Sequence, residues 1–147
     1  YCMTMSLKPS LTFITLLALL GLSGCDLIGG GDESADSRLS KEAIATRDAA
    51  PEDVFKGVLA GESVFLLLHD CEVYRVETGD KGEVRWQSVL APDFYPMWTA
   101  CQRQSMSFEK GALTVTLGRM AFGAGGCCAT GGTYRSTDGR NWKKIAD

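Results

Sequence analysis

The sequence predicts an all-β domain in which two antiparallel meander sheets, of three to four strands each, pack as a small sandwich. Three features support this: apolar or alternating runs of strand length, turn clusters between them, and an internal repeat. We expect at most one or two short helices, near the N-terminal side of the domain. The 147 residues carry a net charge of −3, which suits one domain behind a leader and no nucleic-acid partner.

Strand signals and turn signals alternate over the second half of the chain. The strand-type runs are 63–68, 72–76, 84–89, 105–108, 113–117, 132–135 and 141–145, and the turn clusters are 78–82, 109–111 and 137–139. Tyr74-Arg75 followed by Trp86 parallels Tyr134-Arg135 followed by Trp142. Because one meander cannot bury its apolar face alone, this repeat predicts two meanders packed together.

The segment before the first strand run contains helix signals. Ser40 is placed to cap a short helix over 41–49. Pro51, followed by two acidic residues, fits the first turn of a second helix. The apolar residues over 54–59 fit either that helix or a first strand, and the sequence leaves this choice open.

The N-terminus has the pattern of a bacterial lipoprotein signal peptide over residues 1–24. Lys8 precedes an apolar run over 11–22, which is too short to span a bilayer but has the length of a signal core. Leu22-Ser23-Gly24-Cys25 resembles a lipobox. We therefore expect Cys25 to carry a lipid such as palmitate and to anchor the protein to a membrane in the periplasm.

Two further expectations concern this end of the chain. Asp26, directly after the lipidated cysteine, favours retention in the inner membrane. Tyr1 and Cys2 stand before Met3, and we expect them to lie outside the native sequence.

Residues 25–53 read as an acidic tether between the anchor and the domain. The stretch contains three consecutive glycines at 29–31 and holds eight acidic residues against three basic ones. Such a segment is self-repelling and extended. The remaining residues, 54–147, are close to neutral and form the β-rich binding domain.

Four cysteines remain for disulfides once Cys2 and Cys25 are set aside: Cys71, Cys101, Cys127 and Cys128. An even number in an exported domain predicts two bridges. A bridge between adjacent cysteines would be strained, so we expect one of that pair to bond to Cys71 and the other to Cys101. A zinc site at His69 lacks the usual spacing, and neighbours in a strand do not face each other, so neither a metal site nor a Cys–His enzyme is expected.

Two loops are candidates for recognition of a partner, and neither needs a cofactor. The segment 93–99 concentrates aromatic residues, which either close the core or anchor an interface. The glycine-rich segment 123–132 is either a plain long loop or a recognition loop, with basic and aromatic residues at its entry. The candidate partner-binding residues are Asp93, Tyr95, Trp98, Arg119, Phe122 and Asp138.

Residues 134–142, Tyr-Arg-Ser-Thr-Asp-Gly-Arg-Asn-Trp, resemble the Asp-box hairpin of sialidase-like propellers, one residue shorter than the common spacing. In that motif the aspartate and serine hydrogen-bond the turn backbone and the tryptophan packs beneath. The resemblance supports a hairpin here and gives no support to sialidase activity.

Three stretches, 3–10, 22–31 and 125–134, resemble the immunity lipoproteins that guard Gram-negative bacteria against type VI-secreted muramidases. The resemblance implies a periplasmic inhibitor, and not an enzyme, that binds one muramidase and plugs its substrate groove. The producer is thereby protected from its own toxin and from that of sister cells. A structural or carbohydrate-binding envelope lipoprotein is the alternative, because it would share the anchor, the tether and the β domain.

Overall fold

The structure is a computed structural model that describes residues 38–123 and 126–147. The expected signal peptide, the lipidation site Cys25 and the tether up to residue 37 lie outside the described residues. Within the described part of the chain, no helix has the length and apolarity needed to cross a membrane.

The described residues form two four-stranded antiparallel sheets, which confirms the all-β prediction. Sheet 1 has the strand order β1-β2-β3-β4 and sheet 2 has the order β5-β6-β7-β8. The strands are β1 (Val54–Leu59), β2 (Glu62–His69), β3 (Glu72–Thr78), β4 (Val84–Leu90), β5 (Thr99–Glu109), β6 (Ala112–Ala121), β7 (Thr130–Ser136) and β8 (Lys143–Ala146). One helix, α1 (Lys41–Asp48), precedes them. Each sheet is a meander because every strand pairs with its neighbour in the chain.

Side chains from the facing sides of the two sheets form one core. Alternation along the strands, interrupted by irregular pairing near residues 73, 101 and 133, places about every second residue on the inner side. Sheet 1 contributes Leu59, Val64, Leu66, Leu68, Cys71, Val73 and Leu90, and sheet 2 contributes Leu113, Val115, Leu117 and Tyr134. The hydrophobic free energy of burying these side chains therefore holds the two meanders together.

Three hairpins turn through only two residues, at 60–61, 70–71 and 110–111, and both residues of each turn have positive φ. This is the type I′ geometry that matches the twist of paired strands. The β2–β3 turn is unusual because it contains no glycine: Asp70 has φ 47° and Cys71 has φ 58°. Positive φ angles are costly for residues that have a Cβ, so the conformation of this turn depends on the contacts around it.

Helix α1 lies on the outer face of sheet 1. Ser40 caps it as predicted, because its Oγ accepts a hydrogen bond of 3.1 Å from the Ala43 amide. The Trp86 indole on β4 donates to Thr46 Oγ1 at 2.8 Å, and Ala43 is buried. The folded unit therefore begins before Val54, the boundary expected from the sequence, because α1 covers apolar surface on sheet 1.

The apolar residues over 54–59, which fit either a helix or a strand from the sequence, form a strand. Pro51–Asp53 form a single turn of 3₁₀ helix, and β1 begins directly afterwards at Val54. Pro51 and the two acidic residues after it thus begin only this short turn. The residues from Val54 to Leu59 pair with β2.

Replacing Thr46 with Val tests the docking of α1. The substitution keeps the shape of the side chain but leaves the Trp86 N–H, which donates to Thr46 at 2.8 Å, without its acceptor. We expect the free energy of unfolding to fall by about 1 kcal/mol in urea denaturation. Thr46→Ser keeps the hydroxyl and should retain most of that stability. A Val variant as stable as the Ser variant would show that the bond contributes nothing.

The predicted disulfide pairing is wrong. Cys71 and Cys101 bond to each other, with 5.3 Å between their Cα atoms, and Cys127 bonds to Cys128. The reason is topological, since the β2–β3 turn and the start of β5 face each other across the core. The expected tie between the two meanders is nevertheless present, because Cys71 belongs to sheet 1 and Cys101 to sheet 2.

Candidate functional site

Three connections meet at one end of the sandwich. The segment 91–98 crosses from β4 to β5, the segment 122–129 links β6 to β7, and the β2–β3 turn lies at the same end because Val73 pairs with Leu90. The strands end here, and no further layer formed by residues 38–123 or 126–147 covers their connections. This end therefore presents loop residues to solvent on a β scaffold.

Four large apolar side chains are exposed on these connections. The exposed fractions are 90% for Phe94, 83% for Trp98, 60% for Met97 and 58% for Phe122. We call these four residues the apolar rim. The Phe122 amide donates to the Trp98 carbonyl at 3.0 Å, so the two segments that carry the rim are joined. Several large apolar side chains exposed on joined connections are typical of an interaction surface.

The exposure of the rim contradicts one of the two interpretations of the aromatic segment 93–99, that its aromatic residues close the core. Phe94, Met97 and Trp98 point away from the core, so they do not close it. Two prolines, Pro92 and Pro96, restrict the backbone of the connection that carries them. The sequence did not single out Phe94 and Met97, whose exposure depends on the path of the connection.

A cleft of about 290 Å³ lies beside the rim, lined among others by Glu72, Asp93, Tyr95 and Arg119. Three of the predicted partner-binding residues, Asp93, Tyr95 and Arg119, therefore share one surface. Asp93 is exposed, and its charge interacts with Lys144 and Tyr134 without a hydrogen bond or ion pair to any described residue. Tyr95 is half-buried in the same segment.

The Arg119 guanidinium is held in place by the β2–β3 turn. Its Nη2 donates to the Asp70 carbonyl oxygen and lies 3.4 Å from the Asp70 carboxylate. The Arg119 side chain is largely buried, with 20% of its surface exposed. Its first role is therefore to join β6 to the β2–β3 turn, and only its remaining donors can reach a partner.

The Glu72 carboxylate is hydrogen-bonded to residues of β3 and β4. It accepts hydrogen bonds from the Tyr74 hydroxyl at 2.8 Å and from the Ser88 hydroxyl. Burial raises the pKa of the Tyr74 hydroxyl well above its usual value, and the bond to Glu72 adds to the shift. Of the two acidic residues that line the cleft, Asp93 is therefore the one whose carboxylate accepts no hydrogen bond from a described residue.

Asp138 lies at the opposite end of sheet 2. Leu113 pairs with Ser136 next to the Asp138 turn, whereas Arg119 pairs with Thr130. Six residues of an extended strand separate these pairs by about 20 Å. The structure therefore groups five of the six predicted partner-binding residues and separates Asp138 from them.

The Asp138 carboxylate is used within its own turn. It accepts bonds from the Asn141 side chain at 2.6 Å, the Asn141 amide at 2.8 Å, the Arg140 amide at 2.8 Å and the Ser136 hydroxyl at 3.0 Å. These bonds, led by the Asn141 side chain, hold the pKa of the carboxyl well below its ordinary value of 3.8. The arrangement is the one expected from the Asp-box-like sequence, and it gives Asp138 a structural role.

Replacing Asp138 with Ala is expected to lower the free energy of unfolding by about 1–2 kcal/mol at pH 7, since a charged acceptor of the turn amides is lost. Asn at this position keeps one acceptor oxygen and should cost less. Because the folded pKa is lowered, this stabilisation is complete above the unfolded pKa of about 4 and decreases as the pH falls further. The difference in free energy of unfolding between the natural protein and Asp138→Ala should be smaller at pH 3 than at pH 7. An equal difference at both pH values would contradict this role for the Asp138 carboxylate.

Cys127 and Cys128 lie on the β6–β7 connection, at the same end of the sandwich. The segment 126–129 passes over β6 at Gly118, where an added Cβ would stand 2.5 Å from Cys128 Sγ and 3.4 Å from Cys127 Sγ. Only glycine at position 118 leaves room for the pair. The sequence could not indicate this contact, because it depends on how the loop returns to β7.

A Cys–His catalytic pair is not present at 69–71. The Cys71 sulfur is bonded to Cys101 and buried, whereas the His69 ring packs on Trp86 with 5.2 Å between ring centroids. In the described segments, 38–123 and 126–147, no group of three or more metal-ligating side chains comes together.

No protein-family model, curated protein or solved structure matches this chain.

Proposed function

We propose that this protein is an immunity protein that binds a secreted peptidoglycan muramidase in the periplasm and occludes its substrate groove. The observation that carries the proposal is the apolar rim, four exposed side chains on two joined connections at one end of the sandwich. Lipidation at Cys25 would place the domain where such a toxin acts. The resemblance of residues 3–10, 22–31 and 125–134 to immunity lipoproteins supports the same conclusion.

The chemistry of the rim suits a protein partner. Trp, Phe and Met are enriched in the cores of protein interfaces, where a few such anchors account for most of the binding free energy. The rim itself carries no charge, and it has the exposed Asp93 carboxylate beside it. An apolar centre with a polar border is the usual arrangement of a specific interface.

The shape of this end suits a groove. Two packed sheets are about 10 Å apart, so the end of the sandwich is a narrow edge and not a broad face. A muramidase binds its glycan in an extended groove that contains at least one catalytic carboxyl group. A narrow edge that enters this groove would exclude the glycan without any chemistry of its own.

The scaffold reduces the entropic cost of binding. The Cys71–Cys101 bridge lies directly behind the β2–β3 turn, and Arg119 joins that turn to β6. Connections that are already fixed lose little conformational freedom when a partner binds. A domain of this size can therefore inhibit tightly through a small number of anchors.

The proposal is tested by titrating the oxidised domain against the secreted muramidase of the same cell while cell-wall turbidity is recorded. We expect activity to fall to zero at a 1:1 ratio, with no effect on an unrelated lysozyme. Full muramidase activity at excess domain would contradict the proposal. A parallel sedimentation assay with purified peptidoglycan tests the alternative, since a carbohydrate-binding lipoprotein would sediment with the polymer and an inhibitor would stay in solution.

A further inference from the structure

We propose that the outer side of sheet 2 is a docking surface for a bilayer that contains anionic phospholipids. The surface is formed by Arg103, Arg135 and Lys143 together with the short hydroxyl side chains between them, and we call it the basic face. The proposal goes beyond the immunity function, since it concerns where the domain lies and not what it inhibits, and it is tested without a muramidase.

Charge is distributed unequally between the strands of the two sheets. The strands of sheet 1 contain three acidic and three basic residues, whereas those of sheet 2 contain one acidic residue, Glu109, at the end of β5. The basic residues in the strands of sheet 2 are Arg103, Arg119, Arg135, Lys143 and Lys144. An excess of one sign on one side of a domain attracts partners of the opposite charge.

Three of these basic side chains lie on the outer side of sheet 2. Since Val115 and Tyr134 point into the core, their neighbours along the strands point away from it. Arg135 is one of these neighbours, and Lys143 of β8 pairs with it. Arg103 pairs with position 118, which also faces outwards because it lies three positions from Val115. The three cations therefore share one face.

The cations of the basic face are not neutralised within the described part of the domain. Arg103, Arg135 and Lys143 are exposed and make no ion pair with a described residue. Arg119 and Lys144, in contrast, each pair with a carboxylate of the domain. The charge of the basic face is therefore compensated by solvent and mobile ions, which an anionic surface would replace.

Short hydroxyl side chains lie between the cations. The Thr116 and Thr133 hydroxyl oxygens, on adjacent strands, are 3.2 Å apart. Hydroxyl groups can donate hydrogen bonds to phosphate oxygens, and a guanidinium group matches the geometry of a phosphate with two parallel N–H groups. This combination suits phosphate groups. The hydroxyl residues of this face are Ser105, Ser107, Thr114, Thr116 and Thr133.

The spacing of the cations suits an extended surface. Arg103 pairs with Gly118 and Arg135 pairs with Thr114, so the two arginines are separated by four residues along β6. This separation corresponds to about 13 Å in an extended strand. A layer of lipid headgroups presents many phosphates in one plane, so both guanidinium groups can contact it without bending towards each other.

A membrane anchor would make a weak contact sufficient. Each Lys or Arg close to an anionic bilayer strengthens binding by about fivefold. The lipid expected at Cys25 would keep the domain near the bilayer, so that docking becomes an intramolecular event. The apolar rim lies at an end of the sandwich and the basic face lies on its side. A docked domain would therefore still present the rim to a partner.

The proposal is tested with the chain from residue 25 onwards carrying Cys25→Ser, so that no lipid contributes. The protein is mixed at low ionic strength with vesicles of phosphatidylglycerol and phosphatidylcholine, or of phosphatidylcholine alone, and the bound fraction is measured by sedimentation. We expect binding to the anionic vesicles only, and weaker binding as salt screens the charges. No binding to the anionic vesicles would overturn the proposal. Equal binding to both kinds of vesicle would also overturn it, because apolar insertion would then explain the contact.

A triple variant tests whether the basic face makes the contact. Arg103→Gln/Arg135→Gln/Lys143→Gln should lower the partition coefficient for anionic vesicles by about a hundredfold. Arg103→Lys/Arg135→Lys keeps the charge and should retain most of the binding. Urea denaturation should show that both variants are as stable as the natural chain, since the substituted side chains are exposed.

A matched control removes the same charge from exposed positions outside sheet 2. Lys41→Gln/Lys56→Gln/Lys81→Gln should bind anionic vesicles nearly as well as the natural chain. Equal losses in the two triple variants would mean that net charge, and not the basic face, determines binding, and would overturn the proposal. A chain that inhibits the muramidase but does not bind the vesicles would refute the basic face and leave the immunity function standing. Vesicle binding without inhibition would refute only the immunity function.

Discussion

The double variant Trp98→Ala/Phe122→Ala is expected to raise the inhibition constant for the muramidase by about a hundredfold or more. These side chains are 83% and 58% exposed in the free domain, so truncation removes little packing. Buried in a groove, two aromatic anchors would each contribute about 2 kcal/mol or more, and each 1.4 kcal/mol is a factor of ten. The turbidity assay gives the inhibition constant, and urea denaturation should show unchanged stability.

A matched control uses two exposed apolar residues outside the rim. Val58 is 63% exposed beside the β1–β2 turn, and Ile145 is 53% exposed on β8. Val58→Ala/Ile145→Ala should inhibit as well as the natural domain. Equal losses in both double variants would mean that general apolar exposure, and not the rim, determines binding.

Loss of the bridge between the sheets is expected to have the largest effect on stability. Cys71→Ala/Cys101→Ala should lower the free energy of unfolding by about 2–5 kcal/mol in urea denaturation. The bond restricts the unfolded chain across a separation of 30 residues. It also holds Cys71 in a glycine-free turn at φ 58°, where the side chain is completely buried.

The adjacent pair supplies the control for this experiment. Cys127→Ala/Cys128→Ala removes the same number of sulfur atoms from exposed positions and opens no long chain loop, since the two residues are neighbours. We expect a global stability change below about 1 kcal/mol. If both double variants unfolded at the same urea concentration, the Cys71–Cys101 bond would have no special role in the fold.

The fold was predictable because its signals are local. The strand runs, the Asp138-Gly139 turn and the Ser40 cap depend on residues close in sequence. Each overlaps an observed element, although β5 begins at Thr99, six residues before the predicted run. The disulfide pairing was not predictable, because four cysteines allow three connectivities and the correct one depends on which turns face each other across the core. The repeat indicated two meanders but not their mutual orientation.

The candidate surface was predictable in part. Loop position and residue type identified Asp93, Trp98 and Phe122, which need no tertiary information beyond the strand boundaries. The Asp70 contact of Arg119 was missed because the two residues are 49 positions apart. The prediction that Asp138 contacts a partner rests only on its being a carboxylate in a loop. The Asp-box-like pattern at 134–142 already indicates that this carboxylate bonds its own turn.

The most direct test of the central claim is a hydrogen-exchange comparison of the domain alone and with one equivalent of muramidase. If the rim is the binding surface, exchange should slow at the amides of 94–99 and 119–123, while the hairpin at 137–141 stays unchanged. That hairpin lies at the other end of sheet 2, so it serves as an internal reference. Protection at 137–141 with none at the rim would contradict the account.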